Sequence, residues 1–179
     1  MGCVCVDLMI QFPVPGAFFG FVLMARFYHY SVVTTLHPLQ ILPVILIDDD
    51  TDDLQFMQDG LQKLCERQIL CFSDPLVALS HLQDDASHAY SIICDLHMPK
   101  LDGYEMREKM LADEKLINAS PFFLLSSVIT EREIRKMSLL KVHHCYTKAY
   151  NEEQLLVNLN HMLSCTAAFY NGHLNYRDV

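Results

Sequence analysis

A chain of 179 residues, 51% of them hydrophobic, suits one domain with a sizeable core and leaves some residues over. Its formal net charge of −9, with no Lys/Arg-rich block, argues against a nucleic-acid-binding surface. Seven cysteines, an odd number without CxxC spacing, fit reduced thiols in a cytoplasmic protein better than a disulfide framework.

Residues 1–40 differ from the rest. They are apolar and aromatic, carry Pro13, Pro15 and Pro38, and hold Arg26 as their single basic residue. The uninterrupted apolar core from Gly16 to Ala25 is about half the length that a membrane-spanning helix needs. A signal peptide places positive charge before its apolar core, whereas Arg26 follows it. The segment reads as an irregular extension, with Met24 as an in-frame alternative start. A partner-docking segment and a membrane anchor are the other two readings, and membrane contact is the less expected.

From Ile41 the pattern alternates between short apolar runs and helical periodicity. Val44–Ile47 reads as a strand. Asp52–Arg67 follows as a helix with Leu54, Met57, Leu61, Leu64 and Cys65 on one face. Gln68–Phe72 is a second strand, and Asp74-Pro75 supplies an N-cap and a first-turn proline for a helix to about Leu82. Ile92–Cys94 is a third strand and Gly103–Leu111 a third helix. Pro121–Leu125 is a fourth strand ending at Ser126-Ser127, and Thr130 with Glu133 makes a capping box for a helix to about Met137. His143–Thr147 is the fifth strand, in which alternation puts the imidazoles of His143 and His144 on opposite faces. Asn151 with Gln154 opens a last helix carrying Leu155, Leu159 and Met162 on one face. Residues 165–179 are left as a tail. Five strand–helix units predict a doubly wound parallel sheet with helices on both faces.

The polar residues that end the apolar runs belong together, because the crevice of an open parallel sheet lies outside the carboxyl ends of its strands. Strand one ends in Asp48-Asp49, strand three in Asp95, strand four in Ser126 and strand five in Lys148. Clustered carboxylates repel one another, which raises their pKa values or recruits a cation. Two or three of them suit Mg²⁺. A lysine and a hydroxyl suit a phosphoryl group, so the set supports phosphoryl transfer with a carboxylate attacking in line. Asp50 and Asp52 read as helix caps.

Four stretches carry a family resemblance: Ile47-Asp48-Asp49-Asp50, Asp95 through Gly103, Leu125-Ser126-Ser127 and Thr147-Lys148-Ala149-Tyr150. In order and spacing, residues 41–164 resemble a response-regulator receiver domain of the CheY-like type. The resemblance implies the flavodoxin-like strand order 2-1-3-4-5. It implies that Asp95 accepts a phosphoryl group from a histidine kinase or a histidine phosphotransfer protein. It further implies that Asp49 and Asp95 ligate Mg²⁺ with the backbone carbonyl of His97, while Asp48 holds a metal-bound water. Lys148 then pairs with the phosphoryl oxygens, and Ser126 moves to hydrogen-bond them. Three places depart from the family pattern, one of them Leu140-Lys141-Val142 where a small Gly-Ala step commonly precedes strand five. Ala149 stands where a proline usually follows the lysine, and Cys145 occupies the place of the switch aromatic, with Tyr146 one residue late.

The rival reading is a haloacid-dehalogenase-like phosphatase with Asp48 as nucleophile and Asp50 as its partner acid. Asp52 stands where that pattern has threonine, and Glu152-Glu153 lies at a helix start rather than a strand end. The expectation is therefore a stand-alone receiver that is not a turnover enzyme and signals by phosphorylation-dependent contact with a downstream protein.

Overall fold

The computed structural model describes residues 42–86, 88–116 and 120–170. The expected extension, residues 1–40, and the end of the expected tail, residues 171–179, lie outside the described residues. Ten elements alternate: β1 (Val44–Ile47), α1 (Thr51–Leu64), β2 (Ile69–Phe72), α2 (Pro75–Asp84), β3 (Ser91–Asp95), α3 (Gly103–Ala112), β4 (Phe122–Ser126), α4 (Glu131–Leu139), β5 (His144–Thr147) and α5 (Glu152–Tyr170). All strand pairs are parallel, and the sheet order is β2-β1-β3-β4-β5. The implied order and the doubly wound fold class are both present.

Continuous apolar runs suit β1, β3 and β4 because helices cover both of their faces. Ile45, Ile47, Ile92, Cys94, Phe122 and Leu124 meet residues of α2, α3 and α4, including Leu82, Met106 and Met137. Val44, Leu46, Ile93, Phe123 and Leu125 point the other way, against Leu54, Met57 and Leu61 of α1 and Leu155, Leu159 and Met162 of α5. Each fully buried side chain of this kind stabilises the fold by about 1.5–3 kcal/mol. The helix starts follow their expected caps, except that Asp52 lies inside the first turn of α1 and Asp50 alone caps it. Asp50 accepts from the backbone of Asp52 and Asp53, Asp74 from Leu76, and Thr130 closes a capping box with Glu133.

Most element ends lie within one or two residues of the expected bounds, and three differences have structural consequences. Helix α1 stops at Leu64, short of Arg67, with the Cys65 amide donating back to the Leu61 carbonyl. Helix α5 runs past Ser164 to Tyr170. Thr166 is fully buried there, and its hydroxyl lies 2.9 Å from that of Ser91 at the start of β3. His143 precedes β5, so strand alternation is not imposed on it. Its buried ring meets Phe169 of α5 edge-on at 4.9 Å, while the exposed His144 ring meets His161 of the same helix at 5.7 Å. Among the described residues no helix is long and apolar enough to cross a membrane.

Candidate functional site

The sheet delivers its polar residues to one edge because every strand runs the same way. Asp48 directly follows β1, Asp95 ends β3, Ser126 ends β4, and Lys148 directly follows β5. The loop after β3 is held by backbone. The Leu96 amide donates to the Leu125 carbonyl at 2.8 Å, and the Gly103 amide donates to the Leu96 carbonyl at 3.0 Å. Lys100 turns this loop in the left-handed region, with φ of 69°. Its ammonium pairs with Asp74, the cap of α2, at 2.5 Å. Gly103 is required sterically. A Cβ there would stand 2.6 Å from Leu124 Cδ2 and 2.7 Å from the Asp95 carbonyl oxygen.

Lys148 is the hub of the site. Its ammonium lies 2.8 Å from Asp48 Oδ2, 2.8 Å from Asp53 Oδ2 and 2.8 Å from Asp95 Oδ1. Burial works to lower its pKa, but the hydrogen bonds with Asp48, Asp53 and Asp95 outweigh it and hold the ammonium above its ordinary value. Asp48 is sealed from solvent. Burial raises its carboxyl from 3.8 to about 6, with a smaller push from Asp95, against the opposing bonds from Lys148 and the Asp50 amide. The second Asp95 oxygen accepts the His97 amide at 2.8 Å.

Asp48, Asp49 and Asp95 offer carboxylate oxygens within 4.8 Å of one another. Asp48 and Asp95 are buried and Asp49 is exposed, so the group opens to solvent on the Asp49 side. An all-oxygen donor set of this kind suits a hard divalent cation that keeps part of its water shell. A dication held there would favour the charged form of the Asp48 carboxyl, which burial otherwise disfavours.

Ser126 comes to the site with its hydroxyl turned aside, donating to the Val128 carbonyl at 2.7 Å. The His97 imidazole lies at the rim, 3.6 Å from Glu133 of α4. Asp50 is committed to capping α1, and Glu152 pairs with Lys63 at 2.6 Å, so neither reaches Lys148. Cys145 packs towards Met137 and Val142, whereas Tyr146 turns to the α5 side and bonds His161 at 2.7 Å. The Lys148–Ala149 peptide is trans. Asp53 was not foreseen. It lies in the first turn of α1 beside Asp52, where acids read as helix-start charges, and no spacing in the sequence singles it out.

No family model matches the sequence, and no curated protein matches it. Solved structures do. The chemotaxis response regulator CheY4 of Vibrio cholerae is 20% identical, with 68% of this chain and 98% of that chain covered at a TM-score of 0.58. A response regulator receiver domain from Rhodospirillum rubrum is 19% identical, covering 75% and 96%, with a TM-score of 0.60. The Mn(2+)-bound form of response regulator Rcp1 is 22% identical, covering 75% and 97%, with a TM-score of 0.56. Strand order, the placement of the acids and these similarities agree, and the chain has the fold of the CheY-like response-regulator receiver domains.

Proposed function

We propose that this protein is a cytoplasmic phosphoacceptor receiver of a two-component phosphorelay. Asp95 takes a phosphoryl group from a histidine kinase or a histidine phosphotransfer protein. One observation carries the reading: Lys148 stands 2.8 Å from both Asp95 and Asp48, in the mouth of a three-carboxylate group. A lysine so placed neutralises oxygens that arrive beside carboxylates, and a carboxylate nucleophile has its cation within reach.

An Asp95 oxygen attacks the phosphorus of the donor phosphohistidine. The P–N bond breaks, and the departing imidazole nitrogen keeps the electron pair and takes up a proton. Lys148 transfers its contact from the Asp95 carboxylate to the phosphoryl oxygens. Asp48, Asp49, Asp95 and the backbone carbonyl of His97 would hold Mg²⁺, Asp48 through a metal-bound water. A bound Mg²⁺ supplies the charge that lets a phosphoryl group approach these acids. Ser126 exchanges its bond to Val128 for one to the phosphoryl group, which draws in the loop between β4 and α4. That movement alters the face formed by α4, β5 and α5, where Ile134, Leu139 and Val157 stand exposed. A downstream protein reads this face. The function is regulated contact rather than turnover of a substrate.

The test uses acetyl phosphate as donor and intact-protein mass as readout. The expected result is an Mg²⁺-dependent gain of one phosphoryl group that Asp95→Asn abolishes. Labelling that survives Asp95→Asn defeats the site assignment. Steady turnover of phosphomonoesters that depends on Asp48 would favour the phosphatase reading instead.

A further inference from the structure

The pair His143-His144 has no part in the phosphoacceptor pocket, and neither do His161 and Cys165. On the α5 side of the sheet, His144 and Tyr146 stand two residues apart on one face of β5. His161 and Cys165 stand one turn apart on α5, which puts them on one helical face. The His161 Nε2 atom is 3.8 Å from Cys165 Sγ. A nitrogen and a sulfur bound to one tetrahedral Zn²⁺, at about 2.0–2.1 and about 2.3 Å, stand roughly 3.6 Å apart. The rings of His144 and His161 lie 5.7 Å apart, edge to face. Two imidazoles on one such ion have their centroids roughly 5–6 Å apart.

We propose that His144, His161 and Cys165 form a second cation site, of N,N,S character, for a borderline divalent ion such as Zn²⁺. Soft sulfur with imidazole selects Zn²⁺ over the hard ion suited to the aspartates. Tyr146 orients the site. Its hydroxyl meets His161 Nδ1 at 2.7 Å, which turns Nε2 towards Cys165. This is the outer hydrogen bond that metal-binding histidines ordinarily have.

Among the described residues, the group whose three donors already lie within 4.8 Å of one another is the aspartate set. Here the exposed His144 side chain rotates to bring in the third donor. On binding, the Cys165 S–H bond breaks, a metal–sulfur bond forms, and the proton goes to solvent with no change of oxidation state. The site would join β5 to α5 through residues that take no part in the phosphoacceptor pocket.

Co²⁺ titration of the full chain under reducing conditions is the test, because thiolate coordination gives a sulfur-to-cobalt charge-transfer band. The expected result is one band-forming Co²⁺ per chain, displaced by Zn²⁺, with the band absent in Cys165→Ser. Affinity should fall at least about tenfold in His161→Ala and in His144→Ala, and less in Tyr146→Phe, which keeps the band. The doubly substituted Asp49→Asn, Asp95→Asn protein should keep both band and affinity, which separates this site from the aspartate pocket. Circular dichroism of each variant in chelator checks that it is folded, and the Tyr146→Phe arm tests the site with all three ligands intact. Absence of a band, a band that survives Cys165→Ser, or affinity unmoved by both histidine substitutions overturns the proposal.

Discussion

Lys148 Nζ reaches Asp95 Oδ1 at 2.8 Å across the end of β4, which lies between their two strands. Only a long, compact cation spans that gap and still meets Asp48 and Asp53. Lys148→Ala should slow Asp95 labelling by acetyl phosphate about 100-fold, the usual order for removing one preorganised charge from a developing oxyanion. Lys148→Arg should recover little, because a planar guanidinium cannot place one point charge between three carboxylates. Time courses of intact-protein mass measure both.

Two buried groups oppose each other in acid. Burial raises Asp48 to about 6, so its folded form holds a proton that the unfolded chain releases above about 4. That contribution is present at low pH and is lost as pH rises through about 6. His143 is displaced the other way: burial first, and then Arg107, lower it to about 4. Its contribution is present above about 6.5 and is lost as pH falls towards 4. Each amounts to about 3 kcal/mol at most, and the two slopes cancel across much of pH 4–6. In chelator, Asp48→Asn should therefore gain stability with rising pH more steeply than the native protein, and His143→Gln should do the reverse. Urea midpoints between pH 4 and 6.5 decide it.

Two glycines differ in what blocks a methyl group. At Gly103 the obstacles are the Asp95 carbonyl and Leu124, so Gly103→Ala should cost about 1–3 kcal/mol and slow labelling of the displaced Asp95. At Gly60 the nearest atoms are the side-chain tips of Leu155 and Leu159, at 2.8 and 2.9 Å. Those tips can shift, and alanine gains about 1 kcal/mol of helix propensity. Gly60→Ala should be much the milder in thermal unfolding, with labelling unchanged.

Arg107 is fully buried on α3 and donates to the carbonyls of Leu140 and Lys141 at 3.1 and 3.2 Å, with its guanidinium over the Phe122 ring. It closes the end of α4 through a turn in which Lys141 adopts φ of 52°. Arg107→Met leaves two carbonyls without that donor and should cost about 2–4 kcal/mol. Arg107→Lys should not rescue it, since an ammonium lacks the forked geometry. Denaturant unfolding of both variants measures this.

The sequence was legible wherever an apolar run stopped at a polar residue. Asp48, Asp95, Ser126 and Lys148 sit at strand ends, and strand direction alone brings strand ends together. The strand order was not legible from five alternating units and entered only through resemblance. Asp53 and Arg107 escaped notice because a helix start rich in acids reads as capping, and an arginine in a helix reads as exposed. The hydrogen bonds of both are long-range, to residues on other elements. The end of α5 escaped for a different reason. Cys165 to Tyr170 shows no polar face, and what fixes it there is a hydroxyl contact with Ser91 that periodicity cannot report.

That contact sets where the domain can be cut. Ser91 begins the strand whose far end is Asp95, and its buried hydroxyl is matched by Thr166. One residue before Ser91, the Tyr90 carbonyl accepts from the Tyr170 hydroxyl at 3.3 Å. A protein shortened to Ser164 would keep every strand and the whole phosphoacceptor pocket, yet strip the partner from a buried hydroxyl beneath the central strand. Recombinant boundaries, fusions and affinity tags therefore belong beyond Tyr170.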